Sequence, residues 1–224
     1  MNGDPKRQAA LAALDEIRDG MVVGLGTGTT AAHFIRALGS RVHAGLKLSA
    51  IPTSEESSRL AKEAGVPLTT FRDHPEIDVT VDGADEVSPE LDLIKGLGGA
   101  LVREKIVARA SKRVVIVVDE TKLVDRLGAR TVIPIEVIPF AIVRVILQLH
   151  QWGGEACPRE KNGKPCVSDN GNVILDWKHG VIDQPAVLES QLKALPGVVD
   201  SGIFANLAHC VIVAGAAGIR KLTK

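Results

Sequence analysis

Residues 21–38, MVVGLGTGTTAAHFIRAL, combine a short apolar strand, a Gly-Thr-Gly turn and a helix. The strand covers residues 21–25, and the helix covers residues 31–38 before Gly39 ends it. A strand that turns tightly into a helix begins a unit in which helices connect parallel strands. This stretch therefore favours an α/β fold built on a parallel sheet.

The same alternation of strands and helices continues along the first half of the chain. Further strands are predicted at residues 46–51, 77–81 and 114–118, with helices between them at residues 55–64 and 100–110. The strand at 114–118 is apolar throughout, which is typical of a parallel sheet covered by helices on both faces. Such sheets bind ligands at the carboxyl ends of their strands.

The pattern changes near Gly128. The next elements are predicted as a strand at 131–137, a helix at 140–151, strands at 155–159 and 172–177, a helix at 184–194 and a strand at 198–204. This order is typical of a small ferredoxin-like α+β unit. An apolar strand at 209–214 is expected to rejoin the first sheet. The predicted domains are therefore residues 1–128 with 206–224, and an inserted domain at 129–205.

Composition excludes several classes of function. The 27 basic and 27 acidic residues cancel, and aromatic residues are 3% of the chain with no Tyr, so nucleic acid is not an expected partner. No apolar run approaches about 18 residues, so no membrane span is expected. The three cysteines form no CxxC pair, which favours a reduced, cytoplasmic protein without a zinc site.

Residues 26–31, GTGTTA, offer backbone N–H groups and threonine hydroxyls at the start of a helix, which favours a bound phosphate. They also match the dinucleotide pattern G-x-G-x-x-A. A nicotinamide enzyme needs an acid at the end of the second strand, and that strand ends in Pro52-Thr53-Ser54 instead. A phosphate monoester is thus favoured over a dinucleotide, and over a turn that only packs closely on the sheet.

Asp82 and Asp85 enclose Gly83-Ala84 directly after a predicted strand. Asp is common in turns, where it caps the following element. The alternative is functional, because two carboxylates can hold sugar hydroxyls and one can exchange a proton with a ring oxygen.

Lys95 and Glu104 lie on the two sides of a second glycine turn, GLGG at 96–99. Taken alone, Lys95 is typical of a solvated surface residue, and Glu104 of an exposed acid favoured by the helix dipole. The alternative places Lys95 beside a helix N-terminus that favours anionic oxygen. Glu104 would then be a general base directed over the carboxyl ends of the strands.

Together these residues resemble the type A ribose-5-phosphate isomerase family. Similar blocks are GLGTGTTAAHFI (24–35), the PTS turn (52–54), DVTVDGADE (78–86), KGLGGALVREKI (95–106), DETKLVDRLG (119–128), PIEVIPFA (134–141), SDNGNVILD (168–176) and PGVVDSGIFAN (196–206). The family usually has KGGGAAL, so Leu97 stands where glycine is typical. Leu207 also stands where related sequences are often more polar.

The resemblance implies a Rossmann-like main domain, a smaller inserted α+β domain, and a homodimer or homotetramer. It implies an isomerase of the non-oxidative pentose phosphate pathway that interconverts D-ribose 5-phosphate and D-ribulose 5-phosphate without cofactor or metal. Its catalytic base falls on Glu104. The substrate contacts that it implies are Thr27, Gly28, Thr29, Thr30, Asp82, Gly83, Ala84, Asp85, Lys95, Gly96, Leu97, Gly98 and Lys122.

The expected mechanism proceeds through a cis-enediol. Asp82 assists ring opening, and Glu104 moves the proton between C2 and C1. Lys95 and N–H groups of the glycine loop stabilise the carbonyl oxygen, while Asp85 orients hydroxyls. Two alternatives are a sugar-phosphate sensor module, and an amino-sugar phosphate deaminase or acyl-CoA transferase of the same fold. The pairing of DGADE with REK argues against the deaminase and the transferase. A retained Glu base would serve no purpose in a sensor module.

Overall fold

The structure is a computed structural model that describes residues 4–161 and 163–224. The helices are α1 Pro5–Ala12, α2 Thr29–His43, α3 Glu55–Glu63, α4 Leu101–Arg109, α5 Ile142–Trp152 and α6 Pro185–Ala194. The strands are β1 Val22–Leu25, β2 Ser49–Pro52, β3 Ile77–Asp82, β4 Glu86–Val87, β5 Leu93–Ile94, β6 Ser111–Asp119, β7 Ile133–Val137, β8 Glu155–Pro158, β9 Glu160–Lys161, β10 Lys164–Pro165, β11 Val173–Lys178, β12 Val198–Ser201, β13 Ile203–Phe204, β14 Cys210–Gly215 and β15 Gly218–Thr223. Within the described residues, no helix has the length and apolar character needed to cross a bilayer.

The main sheet has the strand order β15-β14-β6-β3-β1-β2. Its neighbouring strands are parallel, except that β14 and β15 are antiparallel. The parallel strands follow the doubly wound order in which the first strand lies between the second and the third. The direction of the connections reverses between β1 and β3. The carboxyl ends of these two strands therefore border the crevice in which such sheets bind ligands.

Strand β1 shows how helices cover both faces of this sheet. Val23 and Leu25 join a core that includes residues of α1, α2 and α3, whereas Val22 packs on the opposite face with Val107 of α4. Gly24 also lies on that second face, where an added Cβ would stand 2.7 Å from Val107 Cγ1. The predicted mostly parallel sheet with helices on both faces is confirmed.

The second sheet is antiparallel and has the order β12-β7-β11-β8. Its strands alternate with α5 and α6 in the chain order β-α-β-β-α-β, which is the ferredoxin-like arrangement. Its core is built around Trp177, which is fully buried. Strand β14 pairs in parallel with β6, so the chain returns to the main sheet after this segment. The predicted inserted α+β unit is confirmed.

The chain divides into two compact units. The first contains residues 4–84, 103–122 and 207–224, and the second contains residues 85–102 and 123–206, apart from residue 162. The boundaries expected from the sequence, 1–128 with 206–224 and 129–205, stay a prediction.

Asp78 connects β3 to β1 through a charged hydrogen bond. Its Oδ2 accepts the N–H of Val22 at 2.9 Å, and Lys112 Nζ donates to Oδ1 at 3.0 Å. The Val22 N–H, and after it Lys112, hold the pKa of Asp78 below its ordinary value of 3.8. A carboxyl whose pKa is lower in the folded chain stabilises the fold above its unfolded pKa. That stabilisation is lost as the pH falls through the folded pKa.

We expect Asp78→Asn to lower the free energy of unfolding near neutral pH, because the charged hydrogen bonds of the carboxylate are lost. The loss should be only about 1 kcal/mol, because solvent screens this partly exposed group. The difference from wild type should shrink below about pH 4, and urea unfolding at about pH 7 and pH 3 measures it. Glu76→Gln is the matched control, since Glu76 lies farther from Lys112 at 3.8 Å and should matter little at either pH. A difference that is the same at both pH values would contradict this account.

Candidate active site

Asp82 ends β3 beside the turn that follows β1. Its Oδ1 accepts the N–H of Thr27 at 3.1 Å and the N–H of Gly83 at 2.7 Å. Asp82 is 2% exposed, so its carboxylate is held by backbone donors in a buried position. Asp82 and Thr27 therefore meet at the β1–β3 edge, where the strand order places the ligand crevice.

Gly26 allows this close approach. Its N–H donates to Val81 O at 3.0 Å, and an added Cβ would stand 2.1 Å from Asp82 Oδ1 and 2.6 Å from Asp82 Cα. The need for glycine at position 26 is therefore explained by close packing on the sheet, which was one of the alternatives for this turn. Gly28 differs, because it has φ +99° and no atom within 4 Å of an added Cβ.

The residues of the predicted phosphate cradle lie at the start of α2. Gly28 is the N-cap residue, and Thr29 and Thr30 are the first two residues of this 15-residue helix. The first N–H groups of a helix have no partner within the helix, and the helix dipole adds a partial positive charge there. The Oγ1 of Thr27, by contrast, lies 2.8 Å from Thr53 Oγ1 and 2.8 Å from Ser54 Oγ. These bonds fix the turn on the end of β2.

Lys6 is a candidate that the sequence analysis missed. Its Nζ donates to Thr29 Oγ1 at 3.4 Å, which adds an ammonium group to the start of α2. Lys6 lies on α1, whose buried residues are Ala9 and Ala10. The sequence places Lys6 on the polar side of an amphipathic helix. No helical or strand spacing connects residue 6 with residue 29.

Glu104 lies in the first turn of α4 and is 4% exposed. The interpretation of this residue as an exposed surface acid is therefore wrong. A carboxylate at the start of a helix is favoured by the dipole, yet removing it from water is costly. The next residue, Lys105, is also buried, so α4 carries two charged side chains inside the protein.

Lys95 is 3% exposed, and its interpretation as a solvated surface residue is also wrong. In the second unit its N–H donates to Gly202 O at 2.8 Å, and its Nζ lies 5.5 Å from the centroid of the Phe204 ring. An ammonium over an aromatic face is attracted by the ring quadrupole. Asp85 belongs to the same unit, and its Oδ2 accepts the N–H of Leu97 at 3.0 Å.

The glycine loop at 95–98 accommodates Leu97 without backbone strain. Gly96 and Gly99 have φ values of +98° and +90°, whereas in the described residues the non-glycine residues with positive φ are Leu91 and Asn206. Leu97 therefore occupies a position that any residue can adopt. Its side chain is 40% exposed and displaces nothing from the core. The difference from the usual KGGG pattern therefore needs no strained backbone at position 97.

The structure thus brings the predicted site residues together in two groups. The first unit holds Thr27, Gly28, Thr29, Thr30, Asp82, Gly83, Ala84, Glu104 and Lys122. The second unit holds Asp85, Lys95, Gly96, Leu97 and Gly98. Lys122 closes a short 3₁₀ turn directly after β6, at the edge of the sheet where β1 and β3 also end. Within residues 4–161 and 163–224, no three His, Cys, Asp or Glu side chains are grouped to hold a metal ion.

Comparisons with known proteins identify the family of this chain. The family model described as ribose 5-phosphate isomerase A (phosphoriboisomerase A) matches residues 49–218. The chain belongs to this family. A protein named ribose-5-phosphate isomerase A from Gloeobacter violaceus is 48% identical, covering 97% of this chain and 95% of its own length. A protein of the same name from Methanothermobacter thermautotrophicus is 50% identical, covering 97% and 96%.

Solved structures support the same assignment. Ribose 5-phosphate isomerase A from Methanocaldococcus jannaschii superposes with a TM-score of 0.95 at 43% identity, covering all of both chains. A D-ribose-5-phosphate isomerase in complex with phospho-erythronic acid superposes with a TM-score of 0.96 at 42% identity, again over all of both chains. The resemblance seen in the sequence is confirmed. The predicted enzyme class, an isomerase that interconverts ribose 5-phosphate and ribulose 5-phosphate, is confirmed with it.

Proposed function

We propose that this chain interconverts D-ribose 5-phosphate and D-ribulose 5-phosphate through a cis-enediol, with Glu104 as the group that moves the proton. The burial of Glu104, which is 4% exposed, carries this proposal. A glutamate whose only role was to stabilise α4 would interact with the helix dipole equally well at an exposed position. There its charge would not be desolvated. Glu104 removes the proton from C2 of the open-chain aldose and delivers it to C1, while the proton of the C2 hydroxyl passes to the C1 oxygen, which leaves the ketose.

The 5-phosphate is proposed to bind at the start of α2. The N–H groups after Gly28, the hydroxyls of Thr29 and Thr30, and the ammonium of Lys6 all suit a phosphate monoester. The contact of Lys6 Nζ with Thr29 Oγ1 at 3.4 Å supports the inclusion of Lys6. Binding energy from this remote phosphate holds the reacting carbons in place for the proton transfer.

Asp82 is proposed to assist ring opening. The N–H groups of Thr27 and Gly83 fix the direction of its carboxylate. As the bond from C1 to the ring oxygen breaks, the C1 hydroxyl loses a proton and the ring oxygen gains one. A fixed carboxylate can accept the first proton and return it to the ring oxygen.

Lys95 and the glycine loop are proposed to stabilise the negative charge that develops on the carbonyl oxygen. A buried ammonium and preorganised N–H groups act strongly in a site that excludes water. Asp85 is proposed to orient substrate hydroxyls, because its hydrogen bond with Leu97 N–H fixes its carboxylate. Further substrate contacts are proposed for Gly83, Ala84, Gly96, Leu97, Gly98 and Lys122.

A homodimer or homotetramer in the cytoplasm is also proposed. Phe140 is 99% exposed and Val143 is 68% exposed, so the second unit carries large apolar side chains on its surface. The cysteines Cys157, Cys166 and Cys210 are free, as is usual in a reducing compartment. Light scattering coupled to size-exclusion chromatography measures the oligomer.

The purified chain is expected to convert ribose 5-phosphate to ribulose 5-phosphate in the presence of EDTA and without nucleotide. In D₂O, NMR should show deuterium entering C1 of ribulose 5-phosphate, because the enediol exchanges its proton with solvent through the base. Phospho-erythronic acid should inhibit competitively, since its carboxylate carries charge where an enediolate would. Binding of ribose 5-phosphate without turnover would instead support the sugar-phosphate sensor.

A further inference from the structure

Arg159 is a half-buried cation in the second unit that the reaction described above does not use. It follows β8, and its N–H donates to Ile174 O at 2.7 Å. Its side chain is 13% exposed and forms a bidentate pair with Asp176 of β11. Nε lies 3.1 Å from Asp176 Oδ1 and 3.0 Å from Oδ2, and Nη2 lies 2.5 Å from Oδ1. This geometry fixes the plane of the guanidinium group.

The remaining donors of Arg159 hold the glycine loop. Nη1 donates to Gly96 O at 3.0 Å and to Leu97 O at 2.8 Å. Two successive carbonyl oxygens therefore point at one guanidinium group. In a trans peptide the N–H lies opposite the C=O of the same plane, and the described residues contain no cis peptide. The N–H groups of Leu97 and Gly98 consequently point away from Arg159.

The N–H groups of Leu97 and Gly98 have different surroundings. The N–H of Leu97 donates to Asp85 Oδ2 at 3.0 Å, which orients the carboxylate proposed to hold substrate hydroxyls. The N–H of Gly98 belongs to an exposed residue of the loop that follows Lys95. It is therefore the candidate donor of this loop to a substrate oxygen.

We propose that Arg159 is a positioning residue for the isomerase reaction. By holding the carbonyl oxygens of Gly96 and Leu97, it turns the Gly98 N–H toward the substrate oxygen that becomes negative and fixes Asp85 through Leu97. This inference rests on the proposed function. The Gly99 N–H holds this turn from inside, since it donates to Gly96 O at 3.0 Å. Arg159 adds a restraint from outside on a loop whose glycines at 96, 98 and 99 have a wide conformational range. Without that restraint, carbonyl oxygens can turn toward the developing negative charge and destabilise it.

Arginine suits this task better than lysine. It makes the bidentate pair with Asp176 and still has donors for two carbonyl oxygens, whereas lysine is a flexible point charge. We therefore expect Arg159→Lys to lower kcat about 10–100-fold, as expected for a misdirected oxyanion donor, and to change KM little. Asp176→Asn should act in the same direction, because it loosens the guanidinium plane.

The matched control is another Arg–Asp pair of the same unit. Arg126 Nη1 lies 2.9 Å from Asp183 Oδ1, and this arginine side chain is 64% exposed. Arg126→Lys should leave kcat and KM unchanged. A general loss of structure would lower the thermal midpoint and the folded fraction, so circular dichroism accompanies every assay. In Arg159→Ala, added guanidinium ion should restore part of kcat, whereas an equal concentration of sodium ion should not.

Binding of phospho-erythronic acid provides a readout that a purely structural role would not change. The Kd for this charged analogue should rise tenfold or more in Arg159→Lys, which follows from the loss of a donor to negative oxygen, while KM for ribose 5-phosphate stays near the wild-type value. A folded Arg159→Lys variant with wild-type kcat would overturn this inference and leave the proposed function intact. Inactive wild-type protein would overturn the proposed function, and the inference with it.

Discussion

Glu104→Gln is expected to fold like the wild type and to lose about 10²–10⁴-fold in kcat, the usual contribution of a positioned acid–base group. Glutamine fills the same space in the first turn of α4, where Glu104 is 4% exposed. It cannot take up the C2 proton. KM should stay near the wild-type value, because the phosphate and hydroxyl contacts remain. Coupled kinetics and circular dichroism, measured on the same preparation, check this prediction.

Two further variants separate the chemistry of Glu104 from its charge and position. Glu104→Asp keeps a carboxylate but withdraws it by one methylene, so its kcat should fall between wild type and Glu104→Gln. Glu63→Gln makes the same chemical change at an exposed position of α3 and should retain full kcat. Turnover close to wild type in folded Glu104→Gln would show that another group carries the proton.

The fold was predictable because long segments carried one consistent signal. Apolar strands such as 114–118 and the helices between them required a covered parallel sheet, and β6 and its neighbours form one. The order β-α-β-β-α-β similarly predicted the antiparallel sheet around Trp177. Periodicity averages over many residues, so no single ambiguous side chain decides it.

Single charged residues were harder to interpret than segments. Lys95 and Glu104 had ordinary explanations as surface residues, because burial depends on what packs over a residue and not on its neighbours in the chain. The structure shows both as buried. From the sequence, the assignment of Lys95 and Glu104 to one site depended on the family resemblance.

Contacts between distant residues were invisible in the sequence. Lys6 meets Thr29 across 23 positions, and Arg159 meets Gly96 across 63. Neither pair lies at a helical or strand spacing, so no local rule connects its members. Leu97 is the opposite case, because the sequence suggested a difference that the structure does not show. The positive φ values of this turn belong to Gly96 and Gly99, so a leucine at position 97 causes no backbone strain.

Gly26→Ala is expected to have a large effect on activity although it changes no ionisable group. The added Cβ would stand 2.1 Å from Asp82 Oδ1 and 2.6 Å from Asp82 Cα. A flexible side chain can move aside, but the backbone of β3 is held by strands on both sides. The carboxylate must therefore shift by a substantial fraction of an ångström. We expect kcat/KM to fall about 10²-fold and the free energy of unfolding to fall by about 1–3 kcal/mol.

Gly45→Ala is the control for a generic loss of glycine. Gly45 has φ +106° and no atom within 4 Å of an added Cβ, so this change meets the left-handed backbone cost of about 1–2 kcal/mol without a clash. It should leave kcat/KM unchanged. Kinetics and urea unfolding of both variants separate lost positioning from lost stability.

A double variant identifies the group through which Gly26 acts. If the added methyl works by displacing Asp82, then Gly26→Ala should cost little further activity in a protein that already carries Asp82→Asn. Two changes that damage the same group are not additive, because its contribution can be lost only once. Fully additive losses in kcat/KM would mean that the methyl acts elsewhere, for instance by moving the Thr27 turn and the phosphate cradle. The cycle therefore tests whether the glycine after β1 is needed for the position of the carboxylate after β3.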